Sequence, residues 1–322
     1  MLLVAALGFG VLARGRHAAA DESNRHGLRR CGVATREIVR TCLERASLAG
    51  VHPKRARKTL QLLERIQTRA GKTILLPEDC FVGEQTFDLI VHFHGVHTAL
   101  EPALSVSGLR AAMLITIDGI GAEAYSTKYQ FEYSLPALVE GAEKSIAAHC
   151  GNGARSARRI ALSAWSAGYG AISRILRWPE HFRRVDAVLL ADGLHAPYAG
   201  DGSLNAPSLK HFLAFGRRAA AGKALFGLTH SSIETIGYAS TTETADYLLR
   251  SLSVMRTLED TPGPRPGMRR KYHADTGALH VAGYGGVDPA AHAAHQHAMG
   301  QTLLPLLATH WRQSSSPPRA PR

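Results

Sequence analysis

The stretch ALSAWSAGYGA, residues Ala161–Ala171, places Ser166 at the junction between an apolar segment and a helix-like one. Two positions before and after this serine stand Ala164 and Gly168. In a nucleophile elbow the serine occupies a strained strand-to-helix turn, so these two positions must be small for the backbones to pass closely. An ordinary tight turn also uses small residues, and the surrounding pattern has to decide between the two interpretations.

That surrounding pattern is an alternation of short apolar runs with helix-like segments. The runs cover residues 87–95, 111–119, 158–166, 184–193, 223–232 and 277–286, and the helix-like segments lie near 134–149, 167–177, 207–221, 241–254 and 289–309. Strands that are apolar throughout and separated by helices favour a parallel sheet covered on both faces. The sequence therefore predicts an α/β fold with a mostly parallel central sheet and helices on both faces.

Four segments follow from composition. Residues 1–20 are predicted to be a signal peptide or apolar anchor, 21–72 a basic helical N-terminal region, 73–311 the α/β domain, and 312–322 a disordered tail rich in Pro, Ser and Arg. The helical prediction covers 33–70, with a break at 50–53.

The net charge of +12 comes mainly from the N-terminal region, where residues 14–72 carry 15 Lys and Arg against 5 Asp and Glu. Residues 73–299 carry 20 against 21, so the predicted domain is nearly neutral. A basic arm such as HPKRARK, residues 52–58, can associate weakly with anionic surfaces by charge alone, although a solvated helix face explains it more simply. No zinc-finger spacing or RNA-binding aromatic motif is present, so no specific nucleic acid partner is predicted.

The first 13 residues form an apolar run, and Ala18–Ala20 resembles a signal-peptidase site, although no Lys or Arg precedes the run. We therefore expect export to the periplasm or the medium; a buried helix in a cytoplasmic protein is the alternative. Four cysteines, at positions 31, 42, 80 and 150, permit two disulfides with three connectivities in an exported chain, or isolated buried thiols.

Polar residues recur where the predicted strands end, which is where ligands and catalytic groups gather in open parallel sheets. They are His92, His94, Asp118, Ser166, Asp192, His195 and His230. The order and spacing of these features over residues 73–311 resemble the α/β-hydrolase superfamily of serine hydrolases. FDLIVHFHG, residues 87–95, resembles the strand and turn that lead into its oxyanion hole. The resemblance implies the backbone N–H groups of Val96 and Ala167 as oxyanion donors.

The same resemblance implies a catalytic acid and then a histidine base after the serine. Asp192 ends the strand that follows the nucleophile helix, and Glu234 is the alternative one strand later. An aspartate that merely caps a turn would also fit position 192.

Three histidines follow the last predicted strand and are candidates for the base. His292 stands at the start of the helix that Pro289 begins, whereas His295 and His297 lie further along. We predict His292 as the base and keep His295 as the alternative. A metal site on the three histidines is a minority interpretation, because Asp288 alone accompanies them and the serine would stay unexplained.

These observations predict a cofactor-free serine hydrolase that cleaves small-molecule or lipid-like esters through Ser166, His292 and Asp192. The alternative is a non-catalytic module of the same fold that docks on an acidic envelope polymer. A dinucleotide enzyme is disfavoured because no Gly-x-Gly-x-x-Gly follows the first strand.

Overall fold

The computed structural model describes residues 61–151 and 156–314. Its strands are β1 (Leu63–Gln67), β2 (Thr73–Pro77), β3 (Thr86–Phe93), β4 (Ala111–Thr116), β5 (Ser156–Trp165), β6 (Val185–Ala191), β7 (Ala196–Pro197), β8 (Leu225–His230), β9 (Tyr238–Ala239), β10 (Thr257–Pro262), β11 (Arg269–Thr276) and β12 (Leu279–Tyr284). Its α-helices are α1 (His97–Val106), α2 (Ala122–Lys128), α3 (Ser134–Cys150), α4 (Tyr169–Ile175), α5 (Pro179–Arg184), α6 (Lys210–Ala220), α7 (Thr241–Ser251), α8 (Pro289–His297) and α9 (Leu303–Ser314).

Ten strands form one sheet in the order β1-β2-β4-β3-β5-β6-β8-β12-β11-β10. The six central strands, from β4 to β12, are mutually parallel and correspond to the six predicted apolar runs. β2 pairs antiparallel with β4, and β11 with β12. The predicted α/β class with a mostly parallel central sheet is therefore confirmed.

Helices cover both faces of the sheet. α1 and α9 bury their apolar residues on one face, and α3, α4, α6 and α7 bury theirs on the other. Because both faces are covered, every residue of β3 from Phe87 to Phe93 is buried, and neither face of this strand is exposed to solvent. Since the central strands are parallel, their carboxyl ends lie at the same edge of the sheet, and the predicted site residues are at this edge.

The helical prediction for the N-terminal region is wrong at its end, because residues 63–67 form β1. Leu63 is buried, and five residue pairs join β1 to β2 in antiparallel register, so sheet pairing overrides the local helical pattern. At the other terminus α9 continues to Ser314, three residues into the predicted tail. The predicted signal peptide, the rest of the basic region and residues 315–322 lie outside the described residues.

A disulfide joins Cys80, in the turn after β2, to Cys150 at the end of α3. This bond is one of the pairings that four cysteines allow, and Cys31 and Cys42 lie outside the described residues. Among the helices described here, none is long and apolar enough to cross a membrane.

Candidate active site

Ser166 sits at a sharp turn directly after β5. Its φ of 48° lies in the left-handed region, which is strained for a residue with a Cβ. A short 3-10 helix, Ser166–Gly168, then leads into α4. A Cβ on Gly168 would lie 2.1 Å from the carbonyl oxygen of Phe93, so the end of β3 leaves room for glycine alone at this position. The small residue that the elbow pattern requires therefore has a steric reason here.

Asp192 lies one residue beyond β6 and is 1% exposed. Its φ is 45°, so a second strained turn stands beside that of Ser166. The two turns touch, because a Cβ on Gly193 would lie 2.4 Å from the carbonyl oxygen of Ser166. Tight packing at neighbouring strand ends thus fixes the position of the Asp192 carboxylate relative to the serine backbone.

The two carboxylate oxygens of Asp192 have different partners. Oδ2 accepts a hydrogen bond from His292 Nδ1 at 2.7 Å. Oδ1 accepts from Ser231 N at 2.8 Å, Ser231 Oγ at 3.1 Å and Thr241 Oγ1 at 2.9 Å. Burial raises the pKa of Asp192, but the hydrogen bonds from His292 and Ser231 outweigh burial and hold this pKa below its usual range. The carboxylate is therefore ionised at neutral pH.

His292 reaches Asp192 from the first turn of α8. The helix begins as predicted, since the Asp288 side chain accepts from Ala291 N at 2.7 Å and Pro289 follows it. Because an ionised carboxylate only accepts, Nδ1 of His292 carries a proton and, in the neutral ring, Nε2 is left as an acceptor. The side chain is 26% exposed. Its Nε2 is thus the one ring nitrogen that can take a proton from a neighbour.

Trp165, the residue before Ser166, holds the backbone of His292. Its Nε1 donates to the carbonyl oxygen of His292 at 3.0 Å, and the two rings stack with centroids 4.7 Å apart. The His94 ring also stacks on Trp165, with centroids 5.2 Å apart. Within residues 61–151 and 156–314, the Oγ of Ser166 makes no hydrogen bond to another residue. Catalytic hydrogen bonds are often long before a substrate binds, so a nucleophilic serine need not be hydrogen-bonded to its base in the free enzyme.

Val96 and Ala167 lie at the ends of two paired strands, β3 and β5. Val96 precedes α1 in extended conformation, and its N–H has no backbone partner among the described residues. Ala167 lies in the first turn after the elbow, where backbone N–H groups lack intrahelical acceptors. Both groups are therefore available to a negatively charged oxygen.

The alternative acid and base occupy different surroundings. Glu234 is exposed in the loop after β8 and makes no hydrogen bond to a described histidine. His295 is 1% exposed, bonds Thr229 Oγ1 through Nδ1 at 2.9 Å, and has no partner for Nε2 among the residues described. Burial lowers the pKa of His295 to about 4, so this ring is neutral. The exposed His297 is hydrogen-bonded through its carbonyl oxygen, to Arg265.

Among the described residues, His292, His295 and His297 do not form a group whose ligand atoms are close enough to share a metal ion. Elsewhere in the described chain, Glu64, Cys80 and His149 come close enough to share an ion. Cys80 is in the disulfide, so its sulfur is not a thiolate ligand.

His92 and His195, at two other strand ends, are hydrogen-bonded to groups of the surrounding structure. His92 is fully buried between Ser163 Oγ and the carbonyl oxygen of His94, and burial lowers its pKa to about 3. His195 bonds the carbonyl oxygen of Ala239.

Sequence reasoning missed three residues of this site: Trp165, Ser231 and Thr241. Ser231 follows the end of β8, where a hydroxyl group can orient an acid from a neighbouring strand. Thr241 opens α7, and nothing in its local pattern links it to a residue 49 positions earlier.

Neither a protein-family model nor a curated protein sequence matches this chain. Among solved structures, it is similar to an uncharacterised protein from Capnocytophaga ochracea (TM-score 0.40, 9% identity, covering 76% of this chain and 64% of that one). It is also similar to a structure from work on two fungal esterases of Rhizomucor miehei (0.38, 13%, 88% and 91%) and to the esterase domain of a Rhodothermus marinus protein (0.36, 14%, 78% and 98%). Similarity at this level carries no inference about activity.

Proposed function

We propose that this protein is a serine hydrolase that cleaves carboxylic esters, with Ser166 as nucleophile, His292 as general base and Asp192 as the acid that orients it. The observation that carries the proposal is the 2.7 Å hydrogen bond between His292 and the buried Asp192, two residues 100 positions apart in the chain. Their site adjoins the strained turn of Ser166, so a base, its orienting acid and a hydroxyl come to one sheet edge.

The reaction follows from these positions. Ser166 Oγ attacks the ester carbonyl carbon while its proton passes to His292 Nε2, and the backbone N–H groups of Val96 and Ala167 donate to the resulting oxyanion. Collapse of the tetrahedral intermediate releases the alcohol, which takes the proton from His292. A water molecule then repeats the sequence on the acyl-enzyme and releases the carboxylic acid. Asp192 stabilises the imidazolium in both halves.

Exposed apolar side chains near the same edge support a small-molecule or lipid-like ester as substrate. They follow four different strands, β3, β4, β8 and β12, and include Val96 at 48%, Ile120 at 90%, Ile236 at 97% and Val287 at 74% exposure. Apolar side chains that follow these strand ends would be able to contact the acyl or alcohol group of an ester held at this sheet edge.

We also propose that the protein is exported, on the apolar N-terminal run and the disulfide between Cys80 and Cys150, since disulfides persist in oxidising compartments. We further propose that the basic N-terminal arm associates weakly with anionic surfaces. Intact mass before and after reduction tests the export proposal; a fully reduced chain that still starts at Met1 contradicts it.

The proposed activity is tested by hydrolysis of short p-nitrophenyl esters. Ser166→Ala should lower kcat/KM by at least about a thousandfold, because the nucleophile is removed while a small residue still fits the turn. Ser173→Ala, in the following helix, is the matched control and should retain wild-type rates. Wild-type turnover by Ser166→Ala, with circular dichroism unchanged, would contradict the proposal.

A further inference from the structure

A groove of about 1050 Å³ lies between β1, β4 and helix α3. We call it the α3 groove and define it by Ile66, Leu114, Tyr129, Leu138 and Gly141, which line it. Leu114, Tyr129 and Leu138 are buried in the core beneath, so the groove has an apolar floor. Its volume is at the upper end of the range of small-molecule sites, about 300–1000 Å³.

Gly141 in the wall of this groove has no packing reason among the described residues. It lies inside α3, where glycine is less favourable than alanine. A Cβ at this position would meet no atom within 4 Å, and the φ of Gly141 is outside the left-handed region. A side chain at position 141 would therefore extend into the groove without meeting another atom, and glycine leaves this part of the groove open.

Four cations surround the groove: Arg69, Lys72, Lys128 and Lys144. Lys72 and Lys128 share one carboxylate, Asp118, and Lys144 pairs with Glu140. Arg69 forms no ion pair with a residue of the described chain. Two positive charges of the four are therefore not matched by a carboxylate of their own.

Lys72 is the least exposed of the paired cations, with 16% of its side chain accessible. Its Nζ donates to both oxygens of Asp118 and to Tyr129 Oη at 3.1 Å. Burial lowers the pKa of Lys72, and Asp118 counteracts this effect. An additional anion at this point would stabilise the ammonium group in the same way as Asp118 does.

We propose that the α3 groove binds a single-chain anionic amphiphile, a long-chain carboxylate. Its chain lies over Leu114, Leu138 and Gly141, and its carboxylate meets Arg69 and Lys72. Residues 14–60 of the same chain are a poor occupant, because they carry 12 Lys and Arg against 4 Asp and Glu and would add like charge to the groove. This site is separate from the proposed esterase site and does not depend on it.

Calorimetric titration of the full chain with dodecanoate, below its micellar concentration, tests the proposal. Wild-type protein should bind dodecanoate at least tenfold more tightly than dodecyltrimethylammonium, which has the same chain and the opposite charge. Gly141→Leu should weaken dodecanoate binding at least tenfold while the melting temperature stays constant or rises, because leucine fills the groove and favours the helix. Gly200→Leu is the matched control, since its Cβ position is equally open and it lies outside the groove.

Two further variants test how much positive charge contributes to dodecanoate binding. Arg69→Gln should weaken dodecanoate binding severalfold and leave dodecan-1-ol binding unchanged, whereas Lys210→Gln, exposed and remote from the groove, should change neither. Equal binding by the Gly141→Leu and Gly200→Leu proteins, no preference for the anion, or no binding of dodecanoate would overturn the proposal. A lower melting temperature of Gly141→Leu would overturn it too, because that result means that the chain itself fills the groove.

Discussion

His292 and His295 lie one turn apart on α8, yet they differ in every property that matters for proton transfer. His292 bonds the ionised carboxylate of Asp192 and keeps 26% of its side chain exposed. His295 bonds the neutral hydroxyl of Thr229, is 1% exposed, and has a pKa lowered to about 4 by burial. A charged partner and access to a reacting group, rather than proximity to the sheet edge, distinguish a candidate base from a structural histidine.

Removing the negative charge of Asp192 should have the largest effect on activity. Asp192→Asn should lower kcat/KM for p-nitrophenyl esters by about 10³ to 10⁴, because the amide no longer fixes the tautomer of His292 or stabilises its imidazolium. Glu234→Gln is the control for the alternative acid and should keep wild-type rates. Loss of activity in Glu234→Gln with retention in Asp192→Asn would reverse the assignment.

A smaller effect is expected from the hydroxyl groups that hold Asp192. Thr241→Val removes one hydrogen bond to Oδ1 while preserving side-chain shape, and kcat/KM should fall about tenfold, the usual cost of one bond to a charged group. Thr242→Val is the matched control, since the Thr242 hydroxyl donates to the carbonyl oxygen of Ser231 and makes no bond to Asp192. An unchanged kcat/KM in Thr241→Val would show that Asp192 does not need the hydrogen bond from Thr241 for activity.

Trp165→Phe should lower kcat/KM by about fivefold. The ring stack on His292 is retained in part, but the hydrogen bond from Nε1 to the carbonyl oxygen of His292 is lost. Trp178→Phe removes an indole bond to Gln130 away from the site and should leave activity unchanged. Equal rates for both variants would limit Trp165 to packing.

His295 should affect stability more than activity. Its pKa is about 6.5 in the unfolded chain and about 4 in the folded one, so the unfolded state binds the proton first as pH falls. The folded state therefore loses stability between pH 6.5 and 4, by up to about 3 kcal/mol from this group. His295→Asn should remove that part of the pH dependence in urea unfolding and leave kcat/KM at pH 8 within about threefold. An unchanged pH profile would show that the ring is not buried neutral.

The sequence allowed the central sheet to be predicted because six apolar runs alternate with helices, and those runs are the strands that are buried on both faces. The antiparallel strands that flank the central sheet, β1, β2, β10 and β11, were missed; β1 and β10 form its two edges, and edge strands are stabilised by pairing rather than by an apolar pattern. β10 exposes most of its residues, and β1 lies in a stretch with helical spacing.

For the site, chain order was enough to select Asp192 and His292, and the two side chains are hydrogen-bonded. Their catalytic roles stay predictions. Trp165, Ser231 and Thr241 could not be selected in that way, because each acts on a residue far along the chain and none has a pattern of its own.

The central claim is that His292, oriented by Asp192, activates Ser166. Labelling with a fluorophosphonate probe, followed by peptide mapping, tests this claim most directly, because the probe reports the activated serine itself and not turnover of a chosen substrate. Wild-type protein and His295→Asn should each give one labelled peptide, which contains Ser166, and His292→Ala should give none. Labelling of a different serine, or equal labelling of Ser166 in His292→Ala, would contradict it.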